Sequence, residues 1–192
     1  MEEKSGNENL IDNLIKLGLN PETHIKNESA VLATKDRYAN SKYVLASVTD
    51  SIYFLAYDSG RSYPSTGLYA SIDLPDEAEY IVYKRSWFDK FIFFNRKKVG
   101  IDYIDNKLTI SSSNWIPKKE LNAESVDLFL RINKKSNPYS LILQNDYLPM
   151  IPMFKDKKII GLETRTWLYK KEDLKILLES GNTLLQKIKN KL

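Results

Sequence analysis

The sequence predicts an α+β fold: a predominantly antiparallel sheet built from hairpins, with an N-terminal helix, a short helix near 87–95 and a C-terminal helix. Three observations predict it. Apolar residues recur at helical spacing near both ends of the chain, at Leu10, Ile11, Leu14 and Ile15 and again at Leu174, Leu177, Leu178, Leu184, Leu185 and Ile188. Between these ends the period shifts towards two, in short stretches separated by turn residues. Alternating strand–helix–strand units are missing, which argues against a doubly wound nucleotide-binding sheet.

The first helix spans about 8–19, where Gly18 closes it and Asn20-Pro21 prevents its continuation. Asn20-Pro21-Glu22 also suits a short helical turn with proline at its first position. Residues 29–35, 43–48 and 51–57 read as strands, with Thr49-Asp50 joining the last two. Residues 58–67 form a loop, 68–74 a strand, 75–79 an acidic turn and 80–84 another strand. Ser86-Trp87-Phe88-Asp89 has a capping form, and Phe88, Phe91 and Phe94 share a helical face. A helix over 87–95 is therefore expected, with a strand as its rival. Val99, Ile101 and Tyr103 alternate, and so do Leu108 and Ile110, which predicts a hairpin turning at Asp105-Asn106. Val126, Leu128, Leu130 and Ile132 also alternate, whereas a helix there would meet Asn133 on its apolar face. A strand is expected, followed by a turn over 133–138 and a return strand over 139–144. The last strand covers 158–164, and a helix runs from about 171. Gly181 falls on that helix's apolar stripe, either for a close backbone approach or to separate two helices.

The 192 residues suit one domain, 1–192, able to bury a core without staples. The three tryptophans each open a Trp-apolar-x-Lys pattern, at Trp87, Trp115 and Trp167, as a duplicated unit would leave. Their unequal spacings of 28 and 52 favour coincidence.

The chain has no cysteine, which excludes disulfides, zinc–thiolate sites and a Cys nucleophile. Its one histidine, His24, excludes two-His mechanisms and reads as a surface or capping residue. No basic region followed by an apolar run opens the sequence, and no stretch approaches a spanning helix. With no cysteine, these features suit a cytoplasmic protein.

The net charge is +4 and the pI near 9.0. Residues 151–192 carry ten basic against five acidic residues, so the excess lies at the C-terminal end. Such an asymmetry suits a nucleic-acid or anionic-membrane contact, although lysines on a solvated helix end explain it more simply.

Candidate chemistry is sparse. Asp105-Asn106-Lys107, with Asp89 or Asp102 upstream, has the residue types of a metal-dependent nuclease. The predicted turn explains these residues more simply. Asp73, Asp76, Glu77 and Glu79 read as a solvated turn. The loop around Arg61, Ser62, Ser65 and Thr66 suits an anion. Residues 83–98 hold Lys84, Arg85, Lys90, Arg96, Lys97 and Lys98 interleaved with Trp87 and four phenylalanines. Basic groups among aromatics suit single-stranded nucleic acid or an anionic lipid surface. Aromatics facing a core and lysines facing water would give the same pattern.

The sequence therefore predicts a non-catalytic binding domain, first of all for a protein partner, with no cofactor and no metal. Its expected binding residues are Arg61, Lys84, Arg85, Trp87, Arg96, Lys97 and Lys98. A nucleic-acid or anionic-membrane binder using 83–98 and the basic C-terminal segment is the second reading. A metal-dependent hydrolase is the third.

Overall fold

Ser5 begins the first helix, α1 (Gly6–Lys16). Its hydroxyl accepts from the Glu8 N–H at 3.3 Å, while the Glu8 carboxylate accepts from the Ser5 N–H at 2.7 Å. This reciprocal pair satisfies two of the donors a helix start leaves open. Gly18, at φ +85, closes the helix: its N–H reaches the Ile15 carbonyl and the Leu19 N–H the Leu14 carbonyl. Leu10 and Leu14 are buried, but Ile15 is 56% exposed, so the apolar stripe is narrower than the four residues at helical spacing suggest.

The structure is a computed structural model, and it describes residues 5–27, 40–58, 63–89, 96–112, 115–134, 137–149 and 151–192. Its centre is one eight-stranded sheet, formed by β1 (Glu22–Asn27), β2 (Asn40–Ser47), β3 (Tyr53–Asp58), β4 (Ser65–Ile72), β5 (Tyr80–Lys84), β6 (Leu108–Ser111), β7 (Tyr139–Asn145) and β8 (Lys158–Thr164). The order is β1-β2-β3-β4-β8-β7-β5-β6, and every neighbouring pair is antiparallel. Among the described residues four further α-helices join α1: α2 (Asp102–Lys107), α3 (Ala123–Ile132), α4 (Lys171–Ile176) and α5 (Asn182–Lys189). The α+β class and both terminal helices are as the sequence predicts.

Three elements differ. The segment expected to be a strand over 126–132 is the helix α3. Its true face is Val126, Phe129 and Ile132, three residues apart and all buried. Asn122 caps it, accepting from the Ser125 N–H at 2.9 Å, and Asn133 ends it by donating its amide to the Phe129 carbonyl at 3.0 Å. The expected turn at Asp105-Asn106 lies inside α2. The Asp105 carboxylate accepts from the N–H groups of Val99 and Gly100 at 2.8 and 3.0 Å, tying the incoming chain to the helix. Residues 22–27 form β1, so Asn20-Pro21-Glu22 leads into a strand and not into a helical turn. His24 lies on that strand, exposed, with its ring stacked on Tyr43 at 4.5 Å. The expected strand over 29–35, the greater part of the expected helix over 87–95 and Arg61 lie outside the described residues.

Strands β1 to β4 form a meander, but β4 and β5 are separated in the sheet by β8 and β7. Residues 73–79 therefore cross the ends of two strands. Lys158, at the start of β8, holds this crossing: its Nζ donates to the carbonyls of Pro75, Asp76 and Ala78 at 2.5, 3.1 and 3.0 Å. Asn145, at the end of β7, donates its Nδ2 to the Asp76 carbonyl at 3.0 Å. Strands β6 and β7 both flank β5 and so run parallel to each other, with α3 in the connection, as a parallel crossover requires.

Side chains alternate between the two faces. One face carries Phe54, Leu68, Val82, Leu141, Ile160 and Leu162 against the helices. The other carries Leu55, Tyr69, Ile142 and Ile159 against Leu148, Ile151 and Phe154 of the β7–β8 connection. Tyr43, Tyr53, Tyr57 and Tyr147 pack around this second cluster, so several of the tyrosines serve a half-buried sheet face. The C-terminal helix runs from α4 into α5 through one π-helical turn, Leu177–Gly181. Gly181 serves close approach: a Cβ there would stand 3.0 Å from Leu162 Cδ2 and 3.4 Å from Leu68 Cδ1.

Candidate functional site

The end of β5, the end of α2 and the C-terminal half of α3 with the residues just after it meet around a cleft of about 520 Å³. Lys84 and Arg85 come from the first, Asn106 and Lys107 from the second, and Asp127, Leu130, Arg131 and Lys134 from the third. Five basic side chains thus stand against one carboxylate among the described residues. The C-terminus of α3 adds a partial negative charge of only about half a unit, far below the net +4 of the lining.

That one carboxylate is partly engaged. Asp127 accepts a short hydrogen bond from the Tyr103 hydroxyl, and Lys107 Nζ lies 3.8 Å from its Oδ1. The same Nζ sits over the Tyr103 ring, 3.6 Å from the centroid. Arg85 is half-buried and donates through Nη1 to the Asp105 carbonyl at 3.2 Å. Its Nε is buried and has no partner among the described residues. A buried donor without an acceptor is costly. Arg131, Lys134 and Lys84 are exposed.

Two residues beyond Arg85 stands an aromatic pair. Trp87 and Phe88 are 63% and 64% exposed, with ring centroids 5.0 Å apart at 77°. Large exposed aromatics side by side are unusual on a monomer's surface and suit a stacking or docking platform.

The expected binding residues divide. Lys84 and Arg85 line the cleft and Trp87 stands close in sequence. Arg96 turns inward instead, donating through Nη1 to the Leu108 carbonyl at 3.1 Å and, in a short hydrogen bond, to that of Asp105. It secures the end of α2. Lys97 pairs through its backbone with Ile110 and is half-buried, and Lys98 is exposed. The sequence reading placed Lys107 only in a nuclease-like set and missed Arg131 and Lys134. A helix over 123–132 would have placed Asp127, Leu130, Arg131 and Lys134 on neighbouring turns.

The acidic candidates are engaged locally. Asp89 accepts from the Ser86 N–H, the Ser86 hydroxyl and the Thr109 hydroxyl at 2.8, 2.9 and 2.8 Å. Burial pushes its carboxyl up, but these donors and the nearby Arg85 outweigh that and hold it below the usual range. Asp105 is committed to Val99 and Gly100. Among the described residues no three His, Asp or Glu side chains gather as metal ligands would. Of the basic C-terminal segment, Lys158 is buried in the crossover, while Lys187 pairs with Glu124 at 2.6 Å. Among the described residues no helix is long and apolar enough to cross a membrane.

No protein-family model, curated protein or solved structure matches the chain.

Proposed function

We propose that this chain is a non-catalytic binding domain whose partner is single-stranded nucleic acid. The observation that carries the reading is the convergence of five basic side chains on one cleft, with Trp87 and Phe88 exposed nearby. Phosphates pair with the cleft, and bases stack on the aromatic pair. The cleft offers a net +4, whereas the rest of the lining is Asn106 and Leu130, so charge dominates affinity. The lack of cysteine suits work in the reducing cytoplasm, where such a partner is available.

Fluorescence anisotropy with labelled single-stranded oligonucleotides tests this. If about four phosphates are paired, the salt slope is about −3, and raising salt from about 50 to about 200 mM weakens binding about 50-fold. The double variant Arg131→Ala/Lys134→Ala changes only exposed side chains and should lower both the affinity and the slope. Trp87→Leu should weaken binding by about 1–3 kcal/mol without changing the slope. Absence of binding at low salt, or binding indifferent to salt, overturns the proposal. Binding to phosphatidylserine vesicles but not to oligonucleotides would replace it with a membrane-surface reading.

A further inference from the structure

On the face of the sheet opposite the helices, the structure buries a carboxylate among tyrosines. Glu163, on β8, is 6% exposed. Its two oxygens accept from the hydroxyls of Tyr69 and Tyr147, at 2.7 and 2.6 Å. Glycines create the space for this arrangement. A Cβ on Gly67 or Gly161 would fall 2.9 or 2.5 Å from Tyr69 atoms, so the Tyr69 ring lies against the strands and aims its hydroxyl at Glu163. Beside the carboxylate opens a cavity of about 290 Å³ lined by Tyr57, Tyr63, Ser65, Tyr147, Glu163 and Arg165.

Two tyrosine donors give the carboxylate hydrogen bonds but no counter-charge. Burying a charge is unfavourable unless it is paired. Arg165 is exposed, and its charge only partly offsets the burial, which pushes the Glu163 carboxyl up. Each carboxylate oxygen retains a lone pair once its tyrosine is satisfied. Tyrosine rings around a carboxylate attract organic cations through their faces. The cavity lies just below the usual range for drug-sized ligands, so its occupant is small.

We propose that this pocket binds a small primary-ammonium ligand, its ammonium on Glu163 between the rings of Tyr57, Tyr63 and Tyr147, and its tail towards Arg165. A tail carrying a carboxylate meets a guanidinium there, which makes a small amino acid the better fit than a bare amine. This site is separate from the basic cleft and does not rest on the nucleic-acid reading.

The full-length protein is titrated with ethylammonium, glycine and neutral glucose, followed by backbone amide shifts in two-dimensional NMR. Saturable shifts around Ser65 and Glu163 are expected with ethylammonium and glycine, at millimolar Kd. Glu163→Gln should weaken this at least about tenfold, while its unfolding midpoint at neutral pH stays equal to or above that of the parent, because the buried charge is gone. Tyr63→Ala alters a side chain that is 72% exposed, so the fold is retained, and it should weaken binding several-fold. No saturable shift from either ethylammonium or glycine up to about 50 mM, or glucose binding as well as they do, overturns the proposal. So does full binding by Tyr63→Ala together with Glu163→Gln.

Discussion

Gly161→Ala lowers the free energy of unfolding by about 3 kcal/mol or more, the upper end of what overpacking costs. The added Cβ would stand 2.5 Å from Tyr69 Cδ1, 2.8 Å from Cε1 and 3.1 Å from Ile142 Cγ1. Tyr69 cannot swing away. It is fully buried, and its hydroxyl is held by Glu163 at 2.7 Å. Gly161 itself sits in β8 between β4 and β7, hydrogen-bonded on both sides, so the backbone cannot yield either. The measurement is urea unfolding at constant m. Tyr69→Leu in the Gly161→Ala background should recover part of the loss, giving a coupling of about 1–3 kcal/mol in a double-mutant cycle. A loss below about 1 kcal/mol would show that Tyr69 does not lie where described. Gly181→Ala is the control: its nearest neighbours, Leu162 Cδ2 at 3.0 Å and Leu177 Cδ1 at 3.1 Å, are flexible methyl ends. Alanine's helix preference of about 1 kcal/mol offsets that contact, so the net effect should be small.

Lys158→Met should cost about 2–4 kcal/mol, since hydrogen bonds to a charged group are worth about 1.5–3 kcal/mol each and are not fully additive. Methionine nearly preserves the volume but leaves the carbonyls of Pro75, Asp76 and Ala78 without their shared donor. Lys158 is 6% exposed, so water replaces that donor poorly. The substitution loosens the crossing segment rather than the sheet. Hydrogen exchange should therefore quicken first at Ala78 and Glu79, whose N–H groups bond within the turn. Uniform quickening across β8 would contradict the role assigned to Lys158.

The strands were legible where one face is apolar and a turn bounds each end. Residues 80–84 and 158–164 coincide with β5 and β8. The helix α3 was not, because its residues satisfy two periods at once. Val126, Leu128, Leu130 and Ile132 alternate, yet Leu128 and Leu130 are only half-buried while Phe129 is buried. The deciding signals were local: Asn122 with Ser125 at the start and Asn133 at the end, all polar residues that read as turn formers in isolation. That one misreading hid half of the basic cleft, whose Arg131 and Lys134 come from the end of this helix. Lys84 and Arg85 were legible because they adjoin a well-bounded strand. Glu163 gave no warning as a lone acid in an apolar run. Its meaning depends on Tyr69 and Tyr147, which are 94 and 16 residues away.

The placement of β7 and β8 sets the order in which this protein can fold. They lie at the middle of the sheet but are the last strands to be synthesised. Until residue 164 has left the ribosome, the β1–β4 meander and the β5–β6 pair exist as separate fragments, and β4 and β5 each present a bare edge. Joining them requires contacts such as Thr66 with Thr164, separated by almost the whole later part of the chain. Closure over such distances slows folding to the millisecond-to-second range. A chain halted at residue 138 should therefore associate through its open edges rather than fold. The complete sheet therefore forms only once β8 has emerged.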